Sequence, residues 1–164
     1  MLKPLHLHDW DVPTVLAIGI QEELARQVEL QNDLGEIAFV AGADIALDPK
    51  TNKGSAAVIL YTFPGLKPVE VAWAQGKLKF PYVPGLLSFR EGPLLLEALG
   101  RLAREPDLII FDGQGIAHPR HLGIASHLGV LLQKPAIGAA KSRLVGTFDG
   151  PGAREGDMSE LIHK

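Results

Sequence analysis

The chain of 164 residues has a formal net charge of −3 and no cysteine. Disulfides and thiolate metal sites are therefore excluded, and nucleic-acid binding by bulk charge is not expected. With 46% hydrophobic residues it can bury a core, and the expectation is a single domain, residues 1–164. The N-terminus MLKPLHLHDWD lacks the apolar centre of a signal peptide, and no stretch reaches the length of a membrane span. A cytoplasmic protein with no membrane partner is the expectation. Any bound metal must take oxygen or imidazole ligands, which favours magnesium, manganese or calcium.

Residues 1–12 offer Trp10 as their large anchor. His6 and His8 read as scattered surface histidines rather than a metal pair. Asp11 or Thr14 caps a helix with Pro13 in its first turn. From Val15 to Leu34, the apolar residues Leu16, Ile20, Leu24 and Val28 recur at four-residue spacing, with Glu22, Glu23, Arg26 and Glu29 opposite. The pattern predicts an amphipathic helix stopped at Gly35. Ile37 to Leu47 reads as a strand, IAFVAGADIAL, with Asp44 inside it. An Asp facing solvent from an edge strand would account for this residue. A cation ligand accounts for it better, because a carboxylate among apolar neighbours is costly to bury unpaired. Residues 48–54 are turn-rich. Ala56–Thr62 and Val69–Gln75, joined by FPGLKP, read as an antiparallel pair that completes a three-stranded meander.

In KFPYVPGLLSFREG, Pro81 and Pro84 bracket Tyr82 and Val83 and stiffen the loop. Such a loop could hold Tyr82 outward as a wedge, or Tyr82 could pack on the core with its hydroxyl wet. Pro93 to Arg104 is expected to be a helix, with Leu94, Leu95, Leu99 and Leu102 inward. Glu91 would then lie at or just before its N-terminus, where dipole complementarity alone could explain a carboxylate. Next comes DLIIFDGQGIAHPR. Leu108 to Phe111 suits a buried strand, Asp112 ends it, and Gly113 to Gly115 form a loop leading to His118 and Arg120. Functional groups gather at such strand ends, although Asp112 alone could be a turn residue. Arg120 to Leu132 reads as a helix in which His127 is packed or solvated. Pro135 to Ala139 reads as a short strand, with Lys141 just past its end. Residues 149–157 are loop-like, and Ser159–Lys164 is too short to stand alone.

A meander followed by helix, strand, helix, strand makes an α/β sheet of mixed direction. On it, Asp44 and Asp112 would lie on adjacent strands with Glu91 reaching in. Clustered carboxylates repel unless a divalent cation neutralises them. A magnesium ion held this way keeps waters and binds phosphate oxygens. His118 and Lys141 would serve the developing negative charge. The chemistry implied is phosphodiester hydrolysis.

The motifs GADIAL around Asp44, FPYVPGLLSFREGP around Tyr82 and Glu91, DGQGIAHPRHLGIASHLGVLL around Asp112 and His118, and PAIGAAKSRLVG around Lys141 resemble the endonuclease V family. This family comprises deoxyinosine 3′ endonucleases of DNA repair. The resemblance implies a ribonuclease H-like mixed five-stranded sheet flanked by helices. It also implies Mg2+, with Mn2+ as a substitute, bound by Asp44, Asp112 and Glu91, the last through water. His118 and Lys141 match the remaining catalytic positions. Pro81, Tyr82, Val83 and Pro84 resemble the wedge that fills the duplex when the damaged base turns out, and Gly85, Leu87 and Gly113 the pocket that reads it. The substrate implied is DNA containing deoxyinosine. An endoribonuclease acting on inosine in RNA is the neighbouring alternative, and a catalytically weak nucleic-acid-binding relative is the other. A phosphatase acting on small molecules would have no use for a stiff aromatic wedge. Family members continue well beyond Gly146, whereas this chain diverges into DGPGAREGDMSELIHK. The expectation is a C-terminally shortened member lacking one wall of the fold. Self-association is expected through the strand near Pro135–Ala139 and the flanks of the first helix, with Leu16, Ile20 and Leu24 exposed.

Overall fold

The computed structural model describes residues 2–32 and 34–163. Its elements in order are α1 (Thr14–Leu24), β1 (Phe39–Asp48), β2 (Lys53–Thr62), β3 (Pro68–Lys77), α2 (Leu87–Gly100), β4 (Leu108–Phe111), α3 (Ile124–Leu132) and β5 (Ala136–Gly138). The five strands form one sheet in the order β3-β2-β1-β4-β5. The meander β1-β2-β3 is antiparallel, and β4 and β5 join parallel to β1. This is the mixed sheet the chain order implies. The expected loop at 48–54 is shorter than expected, because β1 and β2 pair as far as Asp48 and Lys53.

Both α2 and α3 cover the same face. Ala41 and Ala43 of β1, Val58 and Leu60 of β2, and Ile109 and Phe111 of β4 meet Leu95, Leu99, Leu128 and Leu131 there. Small side chains on β1 let the helices sit close to the sheet. The opposite face carries a cross-strand row of Val71, Ile59, Gly42, Ile110 and Ile137, which are mutual register partners. Val71, Trp73 and Ile137 on this face are exposed.

Three helix boundaries differ from expectation. α1 ends at Leu24 and passes through a 3-10 turn, Ala25–Gln27, rather than running to Leu34; Asp33 lies outside the described residues. Beyond the turn, Glu29, Leu30, Gln31 and Asn32 are exposed, so no packed face sustains a helix. Its N-cap is Pro13, with no side-chain cap from Asp11 or Thr14. The buried stripe is Ala17, Gln21 and Leu24, one residue round from the predicted face. Leu16 is 54% exposed as expected, whereas Leu24 is buried. α2 begins at Leu87 rather than Pro93, so Glu91 is a helix-interior residue and Pro93 sits within the helix. Packing of Phe89, Leu94 and Leu95 outweighs the missing donor of Pro93. α3 begins at Ile124 rather than Arg120, because residues 113–123 are held as a tight loop against its start.

The N-terminal segment is tied down rather than loose. His8 is half-buried and bonds His127 through their Nε2 atoms at 2.7 Å, correcting its reading as a surface histidine. His127 is fully buried and its Nδ1 meets the Ser88 hydroxyl at 2.8 Å. His8 Nδ1 faces the Asp9 carbonyl, so it carries the hydrogen. His127 Nε2–H therefore donates to His8 Nε2, and Ser88 donates to His127 Nδ1.

Candidate active site

Asp44 and Asp112 come together through strand pairing. Ala43 and Phe111 are register partners in the parallel β1–β4 pair, and the Asp112 N–H donates to the Ala43 carbonyl at 3.2 Å. The next residues along, Asp44 and Asp112, therefore stand side by side. α2 brings Glu91 to the same place from the covered face. The three carboxylates, with Ile45, Leu87, Gly113, Gln114, Ala140, Lys141 and Ser142, line one open cleft of about 230 Å³.

The loop after Asp112 owes its shape to α3 and β5. The Gln114 carbonyl accepts from the Ala125 N–H at 3.1 Å, and that of Gly115 from the Gly123 N–H at 2.8 Å. These bonds satisfy donors at the helix start. A Cβ at Gly138 would lie 2.4 Å from the Gly115 nitrogen, and one at Gly123 would lie 2.3 Å from the Gln114 oxygen. Glycine is required at both, because backbone passes where a side chain would stand. Gln114 in turn donates to the Ser142 carbonyl at 3.0 Å, tethering the segment that carries Lys141. The Lys141 ammonium is ion-paired with Asp112, which raises its pKa.

Glu91 is buried, and its pKa is pushed up to about 7, first by desolvation and then by the Asp44 carboxylate. The nearby Arg90 guanidinium opposes the rise, and Asp112 adds to it. A carboxyl group whose pKa is raised by burial and then by neighbouring carboxylates fits a site where a divalent cation supplies the missing positive charge. The donors are all carboxylate oxygens, suited to a hard cation. Among the described residues, no three His, Asp or Glu side chains are grouped closely enough to hold one ion. An open arrangement suits an ion that keeps several waters and takes substrate oxygens.

His118 sits against the Pro81–Pro84 loop. It is buried, does not line the cleft, and its Nε2 faces the Gly85 carbonyl at 2.9 Å. Its Nδ1 accepts from the Arg120 N–H at 3.2 Å, so the neutral Nε2–H tautomer is fixed. Burial lowers its pKa to about 4, opposed by the Gly85 bond.

Of the expected base-pocket residues, Leu87 and Gly113 line the cleft, and Gly85 does not. Tyr82 is 71% exposed and free of the core, with Pro81 and Pro84 exposed beside it and Val83 half-buried. Gln21, which the sequence did not single out, and Arg120 bond directly to this loop. Gln21 is 1% exposed, and its place on the inward stripe between Ala17 and Leu24 was the available signal.

A profile of the Endonuclease V family matches residues 22–164. The chain is 50% identical over 162 residues to an endonuclease V of Dehalococcoides mccartyi, a match covering 99% of this chain and 73% of that protein. The solved structure of an endonuclease V from Streptomyces avermitilis superposes with a TM-score of 0.88 at 41% identity, covering 93% of this chain and 68% of that one. The Ciona intestinalis endonuclease V, solved with a 24mer DNA containing an inosine followed by a ribo-adenosine, superposes with a TM-score of 0.74 at 30% identity. That match covers 81% of this chain and 59% of the other.

Proposed function

The chain belongs to the endonuclease V family, and from that premise we propose that its acidic cleft hydrolyses the phosphodiester on the 3′ side of deoxyinosine in DNA. It is a nuclease, a hydrolase of DNA repair that depends on a divalent metal. The observation that carries the site assignment is the meeting of Asp44, Glu91 and Asp112 in one cleft, with Lys141 paired to Asp112. Asp44 and Asp112 would hold the cation directly, and Glu91 through water. When bound, a magnesium ion supplies Lewis acidity and lowers the pKa of water, and manganese offers the same chemistry.

The chain's own groups do the rest. Asp44 and Asp112 are set by the β1–β4 register, so their separation does not depend on flexible loops. Lys141 brings a mobile positive charge to the cleft edge, suited to a phosphate oxygen of the bound strand. Leu87 and Gly113 present apolar and backbone surface beside the carboxylates, where a displaced base could rest. Tyr82 stands exposed between its prolines to stack in the gap the base leaves. The Ciona protein was solved with inosine-containing DNA, which supports a DNA substrate for this chain.

The test is a nicking assay on a duplex with one deoxyinosine, beside an undamaged duplex. Cleavage of the lesion strand alone is expected with Mg2+ and none with EDTA. Asp112→Asn should abolish nicking while leaving DNA binding measurable. Equal cleavage of both duplexes, or full activity of Asp112→Asn, would overturn the assignment.

A further inference from the structure

The Gly85 carbonyl closes the PYVP loop and is held by three donors from two other parts of the chain. His118 Nε2–H donates at 2.9 Å, Arg120 Nη2 at 2.8 Å and the Gln21 amide at 3.1 Å. A carbonyl oxygen has two lone pairs, so three donors saturate it. Gln21 is buried in the middle of α1, where an unpaired amide would be costly. It is fully used: its oxygen accepts from Arg120 Nε at 2.6 Å, and its nitrogen donates to the carbonyls of Gly85 and, at 3.3 Å, Leu122. The other end of the loop is also clamped, since Arg90 donates to the Phe80 carbonyl at 2.8 Å. Between the clamps stands Tyr82, exposed.

We propose that Gln21 and Arg120 are positioning residues for the Tyr82 loop, locking it through the Gly85 carbonyl to the loop that carries Asp112. Its bearing on catalysis rests on the reading of Tyr82 as a wedge. The residue types follow from the geometry. Position 21 must accept from Arg120 and donate to Gly85 with one side chain, and among side chains of this size only an amide does both. A glutamate there would pair with Arg120 but turn an acceptor toward the carbonyl. Position 120 must donate through Nε to Gln21 and through Nη2 to Gly85 at once, which the planar guanidinium fork does and an ammonium does not. His118, Arg120 and Asp112 share one continuous segment. The network therefore fixes where the Tyr82 loop stands relative to the cleft, and its loss is read in substrate binding.

The experiment has one arm without DNA and one with it. In the absence of DNA, amide hydrogen exchange at Leu86, whose N–H donates to the Val83 carbonyl at 3.0 Å to close the loop, is compared between the wild-type protein and Gln21→Glu, with β1 and β4 amides as internal controls. Faster exchange confined to the loop is expected. With deoxyinosine duplex, Gln21→Glu is expected to raise KM about ten-fold, the factor set by loss of one hydrogen bond of that strength, with a much smaller change in kcat. Arg120→Lys should reproduce both effects and serves if Gln21→Glu does not fold. Unchanged loop exchange in a folded variant overturns the proposal. So does altered exchange with unaltered KM, which would make the network merely structural. If the wild-type protein fails to nick at all, the function assignment fails and the exchange arm still decides whether these residues hold the loop.

Discussion

At the residue scale, the site holds groups whose charge state is set by burial. Glu91 has a pKa raised from 4.5 to about 7. For a carboxyl raised in this way, the contribution to stability is full below its unfolded value and is lost as pH rises through 7. Glu91→Gln should therefore stabilise the metal-free protein at pH 8, by on the order of 2 kcal/mol, while removing nicking. Thermal melts at pH 8 without metal, paired with the nicking assay, check both halves. His127 behaves in the opposite sense. Burial first, then His8, lowers its pKa from 6.5 to about 3. Its contribution is full above 6.5 and is lost as pH falls through that value toward 3. The melting temperature should accordingly drop between pH 6.5 and 4, and His127→Gln should flatten that drop; a parallel pH profile in the variant would assign acid sensitivity elsewhere. Tyr82 is a surface residue in the free protein. Tyr82→Ala should leave the melt unchanged and weaken discrimination of deoxyinosine by about 1–3 kcal/mol, the worth of one base–aromatic stack, measured as the ratio of kcat/KM on damaged and undamaged duplex.

At the element scale, the 113–123 loop is the fixed part of the site. Its carbonyls accept from the N–H groups at the start of α3, and Gly138 of β5 lies directly under it. The new methyl group in Gly138→Ala would meet backbone atoms of Gly113 and Gly115, which cannot swing aside as a side chain can. Strain of this kind costs about 1–3 kcal/mol and moves Asp112 and Gln114 together. The expected result is a lower melting temperature with at least a ten-fold loss of nicking; a variant with wild-type rate would show that the loop tolerates displacement. α2 makes a complementary point. Starting at Leu87 instead of Pro93, it carries Glu91 on its second turn, buried under the cleft rather than fraying at a helix end.

At the scale of the whole molecule, the sheet has one covered and one open face. The uncovered row of Val71, Ile59, Gly42, Ile110 and Ile137 crosses all five strands, with Trp73 exposed in the next row. The chain spans 73% of the length of its Dehalococcoides relative. Exposed apolar side chains lie on this sheet face, Ile137 of β5 among them, and also on α1, where Val15 and Leu16 stand out. Contiguous apolar surface of this kind seeks cover, and two copies can bury it face to face. Light scattering is expected to show dimers or larger species, and Val71→Lys with Trp73→Lys should shift them toward monomer. A clean monomer at high concentration in the unaltered chain would refute this.

Local chemistry made much of this legible in the sequence. Apolar stretches bounded by turn residues marked the strands, and strand order placed Asp44 beside Asp112, because neighbours in a parallel pair share a register. Prolines around Tyr82 foretold an exposed ring, since they remove backbone donors and fix the chain. What remained hidden depended on contacts distant in sequence. The extent of α1 and α2 was decided by which residues found a packed surface, not by spacing or by the cost of Pro93. Nothing in the local pattern named the partner of Gln21, which is Gly85, 64 positions away. His118 follows Asp112 closely in sequence, and its ring turns to the same carbonyl. A hydrogen bond has direction as well as donor and acceptor, and only the tertiary structure sets the direction.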